Sequence, residues 1–275
     1  MLDTSPDLSF APVRNPNPAT LTPEQIDRYN RDGYLTGLRA FPPSQAEANR
    51  TTFDGLLAGL GRDGAYAINC YQARAQAIWD LCTAPAILDV VEDLVGPNIV
   101  CWASHFFCKL PGDPKHVPWH QDAAFWHLAP ARTVTVWLAI DDTDAENAAM
   151  QFIPRSHDKG ALDWRASEGG VLNKELVETA SLGAPVTNAL RAGEMSVHAD
   201  MLAHGSAANL STRRRCGLTI RYCPPEVRMT DGAWAQGIEA ILCRGNDPSG
   251  HWRHHARPRG NDVSPENSPR NLGGN

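Results

Sequence analysis

The rhythm of apolar and polar positions changes near residue 98 of this chain. Before it, apolar side chains recur at helical spacing. In LTPEQIDRYNRDGYL (residues 21–35), Ile26 and Tyr29 mark one helix face and Tyr34 the exit. Thr22 suits the N-cap, Pro23 the first turn and Gln25 the reciprocal position of a capping box. Residues 44–97 read mainly as helix, with Leu88, Val91 and Leu94 recurring between charges. After residue 98 the period shortens to two. Strands are expected in IVCWASHFFCKL, TVTVWLAI, AMQFI, EMSVHA and CGLTIRYC, with turn residues between them. This predicts a mainly β protein with flanking helices, folded as a sandwich or barrel. We expect one domain over 21–245, with a helical part at 21–97 and a β core at 98–230.

The ends differ in texture. Residues 1–20 are rich in Pro, Asn and Ser and read as an extended arm. Residues 246–275 have few aliphatics and much Pro, Gly and Asn, which predicts a disordered tail. Its cluster of His251, Arg253, His254 and His255 could bind metal or phosphate; a solvated tail is the plainer reading.

Composition narrows the function. The 275 residues, 42% of them apolar, suffice for a large core. A net charge of −6 gives no global basic field for nucleic acid or an anionic membrane. No apolar run approaches the roughly 20 residues of a membrane span. The N-terminal stretch lacks the apolar segment of a secretory signal. Seven cysteines without a C-x-x-C pair suggest reduced thiols and a cytoplasmic protein.

The candidate chemistry lies in VPWHQDAAFWHLAP (117–130). In extended chain, His120 and Asp122 point to the same side and could share a ligand. One imidazole and one carboxylate, joined by a second imidazole, form a facial triad suited to Fe(II). A second His-x-Asp, His198-Ala-Asp200, competes through a local cluster with His204. Further along, RCGLTIRYC alternates Arg215, Gly217, Thr219 and Arg221 against Cys216, Leu218, Ile220 and Tyr222. An arginine on an inward strand face needs an anion to offset its desolvation, and a dicarboxylate provides one.

HQD, then HGS, then an arginine eleven residues after the distal histidine resembles the phytanoyl-CoA dioxygenase family of Fe(II)/2-oxoglutarate oxygenases. LTPEQIDRYNRDGYL, FFCKLPGD, TVTVWLAIDD and GLTIRYCPP are similar too, so the resemblance spans roughly 21–228. It implies a cupin-like double-stranded β-helix, or jelly roll, with helices outside one sheet. It implies His120, Asp122 and His204 as iron ligands, and Arg215, assisted by Ser206, as the anchor of 2-oxoglutarate. Trp137 matches a position lining that pocket, and alternation turns Thr135 inward with it. The implied reaction hydroxylates an aliphatic C–H of a small molecule with O₂, while 2-oxoglutarate becomes succinate and CO₂. The carboxylate of Asp122 stands where related halogenases carry a small residue, which favours hydroxylation.

Two positions depart from the family pattern. Ala148 and Arg155 stand where relatives often have Gly, and Arg155 argues against a positive φ there. For the substrate pocket, His105 and Lys109 share a strand face, Phe125 and Trp126 follow the metal motif, and Arg221 lies beyond Thr219. Together they point to an anionic substrate group, which the sequence does not name. Other classes on this fold are a Zn²⁺ or Mn²⁺ isomerase or lyase, and a non-catalytic binding module. The Arg215 spacing disfavours the first, and the complete ligand set the second.

Overall fold

A computed structural model describes residues 8–60, 66–264 and 267 of the chain. The capping box forms as its residues dictate. Thr22 Oγ1 accepts from the Gln25 amide at 3.3 Å, and Gln25 Oε1 accepts from the Thr22 amide at 2.8 Å. They start α1 (Pro23–Asp32), followed by α2 (Pro43–Gly59), α3 (Gln76–Cys82), α4 (Pro85–Val95) and a short α5 (Gly232–Ala235).

The strands, in chain order, are β1 (Tyr34–Arg39), β2 (Ile99–Lys109), β3 (Val117–His120), β4 (Leu128–Ala129), β5 (Val134–Ala139), β6 (Gln151–Phe152) and β7 (Trp164–Ala166). Then come β8 (Lys174–Leu176), β9 (Val186–Thr187), β10 (Glu194–Ala199), β11 (His204–Ser206), β12 (Arg215–Cys223), β13 (Arg228–Met229) and β14 (Ile241–Arg244). The larger sheet has the order β1-β10-β5-β12-β2-β14, and the smaller has β3-β11-β6-β9. All these pairings are antiparallel. The fold is the jelly roll that the family resemblance implied, within the sandwich or barrel expected from the strand pattern.

Alternation divides the larger sheet into two environments. Cys216, Leu218, Ile220 and Tyr222 of β12 pack into the main core, as do Val134, Val136 and Leu138 of β5 and Phe106 and Cys108 of β2. Helices α1 to α4 close that core from outside, through residues such as Ile26, Phe53, Ile78 and Val91. Apolar burial on this scale is the main stabilising term of the fold. The opposite faces of the same strands turn toward the smaller sheet and line the space between the two.

Three expectations change. β1 is a strand that pairs with β10, where the sequence pattern suggested only a helix exit. Gly33 makes this abrupt turn possible by ending α1 in the left-handed region, at φ 84°. The helical reading of 44–97 holds for α2, α3 and α4, but the segment 66–75 between them is turn and 3₁₀ structure. The described part of the tail, 246–264, is packed. Its backbone bridges Ala240 to His254 and Ala75 to Asn261, Trp252 and Val263 are buried, and Arg257 pairs with Asp80 at 2.7 Å. Two apolar anchors and edge pairing outweigh a composition poor in aliphatics. His254 is bound to Asp247 at 2.9 Å.

The arm over 8–22 has no helix or strand and is tied to α4 by one carboxylate. Asp93 accepts from the amides of Ala19, Thr20 and Leu21 at 2.7–2.8 Å.

Gly217 marks a close approach inside the sheets. A Cβ added there would lie 2.0 Å from the Trp137 ring, an overlap no rotamer adjustment of the glycine can relieve. Gly217→Ala should lower unfolding stability by about 1–3 kcal/mol through overpacking. In a Trp137→Phe background the same change should cost less than half as much, measured as a double-mutant cycle in denaturant. Equal costs in both backgrounds would show that the indole is not what requires the glycine.

Candidate metal and cosubstrate site

Pairing of β3 with β11 sets His204 opposite His120, with ring centroids 4.1 Å apart. Asp122 follows in the 3₁₀ turn Asp122–Phe125. Ligand atoms of His120, Asp122 and His204 all lie within 4.8 Å of one another, and all three residues are buried. Each histidine is oriented through its other nitrogen. His120 Nδ1 meets the Pro118 carbonyl at 2.8 Å and His204 Nδ1 the Leu202 carbonyl at 2.9 Å. Both Nδ1–H groups therefore donate to backbone, and both Nε2 lone pairs are left for a metal. Asp122 Oδ2 accepts from Thr135 Oγ1 at 3.0 Å, which leaves Oδ1 beside His120 Nε2 at 3.7 Å.

The electrostatics match a cation-binding state. Burial alone would push the Asp122 carboxyl up, but His120, His198, His204 and Arg221 outweigh it and hold Asp122 well below its ordinary value. Burial, with His120 and His198, pushes His204 well down, so it is neutral and able to coordinate.

Gln121, between His120 and Asp122, is held by the backbone of other segments. Its Nε2 donates to Gly160 and Met201 carbonyls at 2.9 and 2.7 Å, and its Oε1 accepts from the Leu162 amide at 2.9 Å. It ties the metal turn to the segment that leads into β11.

The competing cluster does not assemble. Asp200 turns away and accepts from the Thr133 amide at 3.0 Å, and burial raises its carboxyl to about 7. His198 does lie close, its ring 4.6 Å from His204 and its Nε2 3.6 Å from Asp122 Oδ2. Neither of its nitrogens has a hydrogen-bond partner among the described residues. It is a third imidazole that strand alternation could have located, since β10 turns Ser196 and His198 inward together.

The three consecutive arginines separate sharply. Arg213 pairs at the surface with Asp144 and Glu146 at 2.8 and 2.9 Å. Arg214 points the other way, to Asp141 at 2.8 Å and Asp54 at 2.5 Å. Arg215 is 2% exposed and meets no carboxylate among the described residues. Its Nε and Nη1 donate to the Ala148 and Phe107 carbonyls at 3.1 and 3.2 Å, and Nη2 to Ser206 Oγ at 3.1 Å. Burial pushes this guanidinium below its ordinary value, a cost that an arriving carboxylate would reverse. Trp137, Thr135, Met150, Ser206, Thr219 and the triad line the narrow pocket between Arg215 and the metal position. Ala148 and Arg155 both adopt positive φ, 62° and 67°, so the loop keeps the left-handed geometry that their side chains disfavour. At Ala148 that geometry presents the carbonyl to Arg215.

A family model described as phytanoyl-CoA dioxygenase matches residues 13–217, about three-quarters of the chain. The chain belongs to the phytanoyl-CoA dioxygenase family. Relatives include L-proline trans-4-hydroxylase of Streptomyces griseoviridis, 24% identical over 224 residues, covering 71% of this chain and 84% of that protein. Peroxisomal phytanoyl-CoA dioxygenase of Bos taurus is 27% identical over 60% of this chain, which spans about half of that relative's length (52%). Among solved structures, the non-heme monooxygenase ThoJ superposes with a TM-score of 0.72 at 29% identity, covering 86% of this chain and 88% of that one.

The substrate-side residues divide on inspection. His105, Phe107, Phe125, Trp126 and Arg221 line a second, larger chamber of about 620 Å³ that shares Phe107, His120, Asp122 and Arg221 with the narrow pocket. Lys109 is not brought there. Its Nζ donates to the carbonyls of Ser206 and Ala207, behind Arg215, and burial beside that arginine lowers it to about 7. Tyr66, Asn69, Cys70, Lys115 and Asn173 also line the chamber. Strand periodicity could not reach them, because they lie on loops.

His120→Ala and His204→Ala should each abolish stoichiometric Fe(II) binding, read by calorimetry without oxygen, while His198→Ala should retain it. Retention by His120→Ala with loss in His198→Ala would put the metal elsewhere.

Proposed function

We propose that this family member is an Fe(II)/2-oxoglutarate-dependent hydroxylase of an aliphatic C–H on a small molecule held in the 620 Å³ chamber. The observation that carries the reading is Arg215, a buried guanidinium without a carboxylate, on the wall of the pocket that ends at His120, Asp122 and His204.

The donor set fits iron. Two imidazoles and one carboxylate are ligands that suit Fe(II) and leave coordination positions open. Iron bound there with 2-oxoglutarate and O₂ supplies the oxidising chemistry, 2-oxoglutarate leaving as succinate and CO₂. The chain's own residues do the rest. Thr135 holds the Asp122 carboxylate at Oδ2, and the Pro118 and Leu202 carbonyls fix the ring orientations. Arg215 and Ser206 receive the distal carboxylate of 2-oxoglutarate, with Trp137 as the pocket wall. Phe107, Phe125 and Trp126 give the chamber an apolar wall beside the His120 and Asp122 side chains. An isomerase or lyase on this fold would have no use for Arg215. All seven cysteines are unpaired thiols. They support our assignment to the cytoplasm, and no helix among the described residues is long and apolar enough to cross a membrane.

The direct test is succinate formation from 2-oxoglutarate, screened for stimulation by small molecules. Arg215→Ala should raise the 2-oxoglutarate KM on the order of a hundredfold, as removing a buried charge partner does. Arg213→Ala and Arg214→Ala, each neutralised by its own acids, should shift it only a few-fold. A large effect at Arg213 or Arg214 with a small one at Arg215 would overturn the anchor.

Asp122→Gly should abolish hydroxylation and open a position to halide; undiminished product would remove Asp122 from the ligand set.

A further inference from the structure

Arg221 lies six residues beyond Arg215 on the same face of β12, and it too lacks an acidic partner. No hydrogen bond or ion pair satisfies it among the described residues, and its Nε is sealed from solvent without an acceptor. Its guanidinium lies over two indoles instead, 5.1 Å from the ring centroid of Trp126 and 5.9 Å from that of Trp102. Both indoles line the large chamber and not the narrow pocket. Arg221 borders both spaces, and its guanidinium is stacked on the two indoles of the chamber. Its strand position ties it to the metal: Arg221 is the cross-strand partner of Thr135, whose hydroxyl holds Asp122.

The charge of the chamber is opposite to that of the chain. Its described lining carries two full cations, Arg221 and Lys115, and a single carboxylate, Asp122. Asp122 makes no ion pair with Arg221, and a bound metal would take up its charge. The protein as a whole has a net charge of −6, so this excess is local. Aromatic platforms orient a guanidinium but do not neutralise it. A planar carboxylate would satisfy its unused donors in bidentate geometry.

We propose that the substrate is a carboxylate with an apolar or aromatic body, that Arg221 receives its acid group, and that Trp126, Trp102 and Phe125 enclose its body. The proposal rests on the hydroxylase reading above and adds the substrate class. It makes Arg221 a specificity-determining residue. The chamber volume suits a molecule of metabolite size.

The test uses the full chain with Mn(II) and 2-oxoglutarate, without oxygen. The probes are benzoate, phenylacetate, 3-phenylpropionate and indole-3-acetate, each beside its primary amide, with binding read by tryptophan fluorescence and calorimetry. At least one acid should bind about tenfold to a hundredfold more tightly than its amide, the range of a charge-assisted hydrogen bond. Arg221→Gln should remove that preference, and Arg221→Lys should keep part of it. Binding of 2-oxoglutarate should stay within about threefold in both variants, whereas it collapses in Arg215→Ala. Equal binding of acid and amide, no binding of any acid, or a preference that survives Arg221→Gln would each overturn the proposal. So would a loss of 2-oxoglutarate binding in Arg221→Gln as large as that in Arg215→Ala, which would assign this arginine to the cosubstrate. Failure of the wild type to form succinate with Fe(II) would instead sink the hydroxylase reading, and the substrate class would still be read from the acid–amide comparison.

Discussion

β12 has to satisfy two incompatible environments at once. One face, Cys216, Leu218, Ile220 and Tyr222, lies in the main apolar core beneath the helices. The other presents Arg215, Gly217, Thr219 and Arg221 to the space between the sheets. A slip of one residue would exchange the faces and bury two arginines among aliphatics, at a cost no local rearrangement could offset. The register is secured on both sides, by nine Cα pairs with β2 and six with β5. Everything that defines the site is placed relative to that register: Trp137 over Gly217, Thr135 beside Arg221, and Lys109 opposite Arg215.

The site is held at some expense to stability. Arg215 is buried with only carbonyls and one hydroxyl as acceptors, and Lys109 is buried next to it with two carbonyls. Ala148 occupies the left-handed region, which costs an L-residue about 1–2 kcal/mol, and its carbonyl is one of the Arg215 acceptors. His198 lies beside the triad with both nitrogens unbonded. Arg215, Lys109 and Ala148 sit together at one end of the space between the sheets and His198 lies farther along it beside Asp122, while the helices cover a nearly continuous apolar core on the far side. Strain concentrated at a ligand pocket and compensated by a large core elsewhere is what a binding site requires.

Much of this was legible because β periodicity is short and strict. The inward sets of β12, of β5 and of β2 from Ser104 to Lys109 follow from a period of two, which a bulge at Trp102 breaks, and the capping box of α1 follows from Thr22 and Gln25. Local pattern had less hold where structure depends on distant partners. β1 exists because β10 offers it an edge, and the described tail residues are packed because Trp252 and Val263 find apolar contacts far away in sequence. Lys109 shares a strand face with His105 as alternation demands, yet the two serve different places. A strand eleven residues long runs past the metal position, so its ends lie near different cavities.

This length also explains why the reaction class is easier to read than the substrate. The groups proposed to hold a metal and a dicarboxylate sit on paired strands or, for Asp122, in the turn that follows one, where spacing along the chain translates into position in space. The chamber is different. Its strand-borne walls are His105, Phe107, Trp102 and Arg221, but Tyr66, Asn69, Cys70, Lys115 and Asn173 come from loops whose paths no periodicity describes. Specificity is therefore carried by segments that can change without disturbing β12. Arg221 is the exception, a chamber residue fixed by the same register as the cosubstrate anchor. An anion bound to it is thereby positioned relative to Thr135 and Asp122 by backbone pairing alone, whatever the loops do. The loops would then select the body of the substrate while the sheet fixes where its charge lies relative to the metal.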